Sequence, residues 1–285
     1  MGMREATVYS YLANARETRA TLERFGLATK HRLGQNFLVN DDVIGKIIRL
    51  ADLSLEDVVL EVGPGIGTLS VALLDAAGKV VAVEADHELE PVLGQTCVPT
   101  GRFELLMGDA LKVIPGGLTC EPTAFVSNLP YQVAATLILD VFQQVPSMQR
   151  AVVMVQAEVA DRIAARPGNK AYGAYTAKLA LEGTVTGRFE VGPGNFMPPP
   201  HVNSAVVRID RAPVEGAPAN TAQVIDAAFA QRRKTIRNSM AASGFAKEAL
   251  DAAFAQAGIA PTCRAETLSV HEFVDLARAL EEASA

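Results

Sequence analysis

The sequence predicts an α/β protein in which a mostly parallel sheet is followed by a small all-α domain. Three observations carry this reading. Apolar runs of strand length alternate with helical segments from residue 58 to about 165. A glycine-rich turn follows the first run, and from about residue 211 onward every pattern is helical.

Each element has its own signal. Residues 16–25 read as a short amphipathic helix ended by Gly26. Lys30-His31-Arg32-Leu33-Gly34-Gln35-Asn36-Phe37-Leu38 reads as a basic loop, after which Asp41 or Asp42 caps a helix whose Val43, Ile47, Ile48 and Leu50 have helical spacing. Val58–Val62 is a buried strand that breaks at Gly63-Pro64-Gly65-Ile66-Gly67. A helix follows from about Thr68 to Ala77, stopped by Gly78. Further strands are expected at Val80–Val83, Phe103–Leu106, Ala124–Ser127 and Ala151–Val155, with helices at Val133–Phe142 and Glu158–Ala165. Such alternation buries both faces of a parallel sheet. Two β-rich runs, Thr184–Val191 and Ser204–Ile209, complete it, as a hairpin in the simplest case.

Arg211 to Asn220 reads as a linker rich in Pro, Gly and Ala. Beyond it, Ile225, Phe229, Ile236 and Met240 form one helical stripe, Leu250 and Phe254 another, and Ser269-Val270-His271-Glu272 is a capping box. The expected domains are therefore an N-terminal extension with a short helix (1–32), a sheet domain (33–210) and a small helical domain (211–285).

Bulk properties narrow the function. With 49% hydrophobic and 20% charged residues among 285, the chain can bury a real core. No apolar stretch is long enough to span a membrane. Glu5, Glu17 and Glu23 argue against a transit peptide. Cys97, Cys120 and Cys263 are too scattered for a zinc site or a disulfide framework, so no metal is expected and a reducing cytoplasm is the simplest location. The net charge of -6 runs against a nucleic-acid partner unless a local basic patch overrides it.

Ligands of open α/β sheets bind beyond the C-terminal strand ends. Here the first strand runs into the glycine turn, and Glu84 ends the second strand about twenty residues on, where a carboxylate can hold ribose hydroxyls. The dinucleotide fingerprint G-x-G-x-x-G fails because Thr68 stands at its last position. The form present, G-x-G-x-G, suits S-adenosylmethionine, which has no pyrophosphate to seat. Asp109 ends the third strand, well placed for the cofactor's adenine amine; Glu84 and Asp109 read equally well, taken singly, as solvated strand ends.

Asn128-Leu129-Pro130-Tyr131 follows the fourth strand. An aromatic amine is a poor nucleophile because its lone pair is delocalised into the ring. Two hydrogen-bond acceptors at its N–H groups localise that pair. The Asn128 side-chain oxygen is one candidate acceptor and a main-chain carbonyl beside Pro130 the other, with Tyr131 stacking on the purine. Catalysis is then positioning, without metal or covalent nucleophile. The alternative is a Pro-terminated strand with a buried Tyr. A target base must leave its stack to enter such a pocket. Phe196, in the stiff segment Asn195–Pro200, is expected to close over its other face, or else is an ordinary core Phe.

Seven strings together resemble the ribosomal small-subunit adenine dimethyltransferases, relatives of the erythromycin-resistance RNA methylases. They are L-G-Q-N-F-L (33–38), E-V-G-P-G-I-G (61–67), V-E-A-D (83–86), G-D-A-L (108–111), N-L-P-Y (128–131), F-M-P-P-P-H-V-N-S-A-V (196–206) and Q-R-R-K-T (231–235). The resemblance spans nearly the whole chain. It implies the seven-stranded Rossmann-like sheet of class I methyltransferases. It also implies S-adenosylmethionine as cofactor and dimethylation of two adjacent adenosines in a hairpin near the 3′ end of small-subunit rRNA. Cofactor contacts are implied from Asn36, Leu38, Gly63, Gly65, Glu84, Asp109 and Asn128. RNA contacts are expected from Lys30 and Arg32 beside the cofactor loop. Arg232, Arg233, Lys234 and Arg237 join them on one helix, Arg233 and Arg237 sharing a face. The expected partner is a pre-ribosomal particle and the expected state a monomer. Gln132 and Asn203 depart from the family's usual residues. The rivals are an adenine methylase of large-subunit rRNA or DNA and a catalytically silent RNA-binding assembly factor.

Overall fold

The structure is a computed structural model that describes residues 8–28 and 35–284. Nine strands are labelled in chain order: β1 (Phe37–Leu38), β2 (Val58–Val62), β3 (Lys79–Glu84), β4 (Phe103–Met107), β5 (Ala124–Asn128), β6 (Arg150–Gln156), β7 (Gly183–Val191), β8 (Phe196–Met197) and β9 (Ser204–Arg211). The seven-stranded sheet has the order β4-β3-β2-β5-β6-β9-β7, and β1 pairs with β8 in a separate ribbon. Strands β2 to β6 run parallel to their neighbours, while β9 lies antiparallel to β6. The five expected strands are all present, and β4, at the edge of the sheet, is only partly buried.

The chain forms β2, winds outward through β3 and β4, then returns to place β5 on the other side of β2. That reversal opens a crevice at the C-terminal ends of β2 and β5, the standard ligand position in such sheets. The sheet's central residues are sealed: Val59, Leu60, Val81, Phe125, Val126 and Val153 are buried. The two β-rich runs expected as a hairpin, β7 and β9, are neighbours in the sheet, but β8 intervenes in the chain and pairs with β1 instead.

Local chemistry sets the helix starts. The helix Asp41–Ala51 is capped by Asn40, whose side chain accepts from Asp42 N. Asp41, one of the two expected caps, instead accepts from the backbone N–H groups of Tyr9 and Ser10 at 3.0 and 2.7 Å. Asp109 caps the helix Ala110–Gly117 through Leu111 N. The capping box at the last helix is formed as expected. Ser269 N donates to Glu272 Oε2 at 2.7 Å, and Glu272 N donates back to Ser269 Oγ at 3.3 Å.

The chain divides into two compact units, one of residues 1–160 and 185–211 and the other of 161–184 and 212–285. The segment 161–184, which the sequence reading places with the sheet domain, packs with the C-terminal helices. Tyr172 and Ala177 belong to the same core as Ile225, Met240, Phe254 and Phe273, and the Tyr172 hydroxyl donates to Leu268 O at 3.0 Å. The expected continuous stripe on one long helix is also corrected. A helix Thr221–Phe229 ends before residues 230–235, and a second, Ile236–Ala242, restarts with Thr235 as its cap.

Candidate active site

A cavity of about 320 Å³ opens at the C-terminal ends of β2, β3 and β5. Its floor is the turn after β2. Gly63, Gly65 and Gly67 have φ of 71°, 61° and 90°, values that strain any residue with a Cβ. A Cβ on Gly65 would stand 3.2 Å from the Phe37 ring, so the glycine also permits the close approach of β1 over the turn. Gly63 and Gly65 thus bring bare backbone to the cavity, while Gly67 lets the turn pack closely on Cys97.

Glu84 closes one side. It is 6% exposed; its Oε2 accepts from Gly65 N at 3.2 Å and its Oε1 from Asp86 N at 2.9 Å. One carboxylate therefore ties the glycine turn to the end of β3. Burial raises its pKa, against the opposing pull of these backbone N–H groups. Gln35 also lines the cavity, and its Nε2 donates to Asp86 Oδ2 at 2.8 Å, which fastens the segment before β1 to the chain that follows β3.

Asn128, the last residue of β5, lines the cavity, and its Nδ2 donates to the Asn36 carbonyl at 3.3 Å. With the nitrogen so engaged, the Oδ1 atom is the acceptor that the amide has left. The adjoining turn is braced in two places: Leu129 N donates to Met154 O, and Val133 N donates to Pro130 O. The Pro130 carbonyl already accepts from Val133 N, and the Leu129 carbonyl beside it, also on the cavity lining, is the candidate for a second acceptor. The Tyr131 hydroxyl shares a hydrogen bond with Ser204 Oγ at 2.7 Å, and burial raises its pKa.

The structure gathers most of the expected residues. Asn36, Leu38, Gly63, Gly65, Glu84, Asp109, Asn128, Leu129, Pro130 and Tyr131 all line one cavity, and Gln132 joins them at its edge. Phe196 does not. It is 4% exposed, pairs with Leu38 across β1 and β8, and belongs to the main hydrophobic core. The expected second stacking face is therefore corrected to a core position. The ribbon pairing turns that side chain inward.

One residue the sequence reading passed over is Glu61. It lines the cavity from β2, is 1% exposed, and accepts from Ser70 Oγ at 2.6 Å. Burial pushes its pKa up to about 8, with the Glu84 carboxylate adding to the rise. Its signal was one charged residue inside the otherwise apolar run Val58–Val62.

The expected basic patch stands differently from its sequence picture. Lys30, His31 and Arg32 lie outside the described residues. Arg232, Arg233 and Lys234 are exposed, but they occupy the turn between two helices, so Arg233 and Arg237 do not share a helix face. Arg232 Nη2 donates to Lys170 O at 2.6 Å. Arg237 makes a two-pronged ion pair with Asp251 at 2.5 and 2.6 Å. Among the described residues no cluster of His, Cys, Asp and Glu is arranged to hold a metal ion, and no helix is long and apolar enough to cross a membrane.

The cavity suits S-adenosylmethionine by its glycine cradle, by the buried Glu84 beside it, and by a volume in the range of small-ligand sites. Among solved structures, the chain is similar to a dimethyladenosine transferase from Plasmodium falciparum. The TM-score is 0.77 at 24% identity, covering 87% of this chain and 98% of that one. It is also similar to the 23S rRNA methyltransferase ErmE, with a TM-score of 0.66 at 26% identity, covering 86% of this chain and all of that one. The sheet with its helices is therefore the class I methyltransferase fold. In sequence it is 42% identical over 272 residues to the ribosomal RNA small subunit methyltransferase A of Rhodococcus opacus, covering 92% of each chain. It is 41% identical over 283 residues to that of Streptomyces griseus, covering 95% of each. The model of the ribosomal RNA adenine dimethylase family matches residues 26–282, and with that match over nearly its whole length the chain belongs to the ribosomal RNA adenine dimethylase family.

Proposed function

We propose that the protein uses S-adenosylmethionine to dimethylate the exocyclic amine of two adjacent adenosines in a hairpin near the 3′ end of small-subunit rRNA. The observation that carries the proposal is Asn128, held by Asn36 at the mouth of a cavity that Glu84 and the glycine turn share. Bound cofactor supplies an electrophilic methyl group. Glu84 would hold the cofactor through its ribose hydroxyls, and Asp109 would hold its adenine. Asn128 Oδ1 and the Leu129 carbonyl accept from the two hydrogens of the target amine and localise its lone pair. Tyr131 stacks on the base, and the pocket would position the target amine for transfer. The substrate is a partly assembled small subunit in the cytoplasm, met by the protein as a single chain. Arg232, Arg233 and Lys234 contact its phosphates. The local shape of the particle supplies what a net charge of -6 withholds.

Mapping dimethylated adenines in rRNA from cells with and without the gene tests this reading. Loss confined to two adjacent small-subunit adenosines is expected. Loss in large-subunit rRNA or in DNA, or no loss with impaired subunit maturation, would replace it by one of its rivals.

A further inference from the structure

Tyr131 and Ser204 come from distant parts of the chain. Tyr131 follows β5, whereas Ser204 opens β9, two strands away across β6. Strand spacing puts those strands about 10 Å apart. The Tyr131 side chain therefore reaches along the sheet's end, over the C-terminal end of β6, to meet the Ser204 hydroxyl at 2.7 Å. Ser204 is fully buried and opposite Gln156 in the antiparallel register of β6 and β9, so its position is set by the sheet rather than by a loop. Tyr131 sits in a turn, half-buried and lining the cavity; Leu129 and Val133 brace the backbone of that turn, and the Ser204 bond holds the far end of a side chain that has two torsions of its own.

We infer that Ser204 is a positioning residue for the target base: its hydroxyl pins the Tyr131 ring in the one orientation that lets the ring stack on a purine whose amine lies at Asn128. The inference rests on the proposed adenine methylation and adds a residue to it. Phe196 is turned into the core, and the other ring that lines the cavity, Phe37, packs over Gly65 of the glycine turn, so Tyr131 is the ring that the Asn128 turn itself carries. The serine never touches the base; it acts through the tyrosine. Loss of the hydroxyl leaves the ring in place but adds rotational freedom, so fewer bound bases reach the geometry for transfer.

The test compares wild type with Ser204→Ala, Tyr131→Phe and the double variant on small-subunit particles. Single-turnover methylation is followed on native particles, and fluorescence on separate particles with 2-aminopurine, which has no C6 amine to methylate, in place of the target adenine. Tyr131→Phe keeps the ring and removes only the hydroxyl, which guards against a folding defect from the change at the buried serine. Each single variant should transfer about tenfold more slowly, as for one lost buried hydrogen bond. The double variant should be no slower than either. Cofactor affinity and particle affinity should hold, and the 2-aminopurine signal should rise as stacking loosens. Wild-type rates and unchanged fluorescence in both single variants would overturn the positioning role while leaving the methylation reading intact. No transfer by the wild type would overturn the methylation reading, and this inference with it.

Discussion

Replacement of Glu84 by Gln probes the cofactor side of the site. In the structure both carboxylate oxygens are employed, Oε2 by Gly65 N and Oε1 by Asp86 N, in surroundings that are 6% exposed. A glutamine of the same shape has one oxygen and one NH₂ group. It can satisfy only one of the two backbone donors and turns an N–H toward the other. Leaving one buried donor unpaired costs about 1–3 kcal/mol of stability. In a unit of this size, each kcal/mol moves Tm by about 2–4 °C. Cofactor binding should suffer separately, because a hydroxyl-to-carboxylate hydrogen bond contributes roughly 1.5–3 kcal/mol, or about 10- to 150-fold in affinity. Calorimetry with S-adenosylmethionine on the folded variant measures the second effect and thermal unfolding the first. A variant that melts lower but binds the cofactor with unchanged affinity would reduce Glu84 to a structural tie and remove it from the cofactor site.

Three further outcomes are expected. Glu61, with its pKa pushed up to about 8, keeps its proton in the folded state where the unfolded chain has lost it, so it costs apo-protein stability as pH rises from the ordinary glutamate range toward 8, about 1.4 kcal/mol per pH unit. Glu61→Gln should flatten that decline in urea unfolding at pH 5, 6, 7 and 8, and an equally steep decline in the variant would refute the assignment. Gly67→Ala meets both a φ of 90° and the Cys97 sulfur 2.9 Å from the new Cβ, so it should lower stability by at least about 1–3 kcal/mol by urea titration; a wild-type midpoint would refute the strain. Charge reversal at Arg233 and Lys234 should strongly weaken particle binding, whereas Arg237→Ala should leave it nearly unchanged because Asp251 already engages that guanidinium. Filter binding at several salt concentrations would refute this if Arg237→Ala proved the more damaging change.

Much of the fold could be read from the chain because buried parallel strands are written as continuous apolar runs with glycine or acidic residues at their ends. The turn at 63–67, Glu84, Asp109 and Asn128 each follow such a run, which is why they meet at one end of the sheet. What escaped the reading depends on partners distant in sequence. Phe196 lies in a Pro-rich segment whose pattern does not say which face turns inward; its pairing with Leu38 decides that. The 161–184 segment carries helical signals that fit either unit, and only Tyr172 and Ala177 meeting the C-terminal core assign it. The break at 230–235 was hidden because Phe229 and Ile236 are seven residues apart, two helical turns, so the stripe runs through the gap unaltered. Thr235, which accepts from Asn238 N at 3.4 Å, was the available sign of a fresh helix start. Glu61 was absorbed into its strand because a single carboxylate among valines gives no hint of whether it faces a cavity.

Asn128 is proposed to activate an adenine amine of small-subunit rRNA in the cavity that S-adenosylmethionine shares. The most direct measurement incubates immature small-subunit particles with labelled cofactor and either the wild-type protein or Asn128→Ala, then counts methyl groups on each adenosine by mass spectrometry of the rRNA. Wild type should place two methyl groups on each of two adjacent adenosines. Asn128→Ala, with cofactor affinity largely kept, should transfer about a hundredfold or more slowly. Label on other nucleotides, or near-normal transfer by Asn128→Ala, would contradict the account.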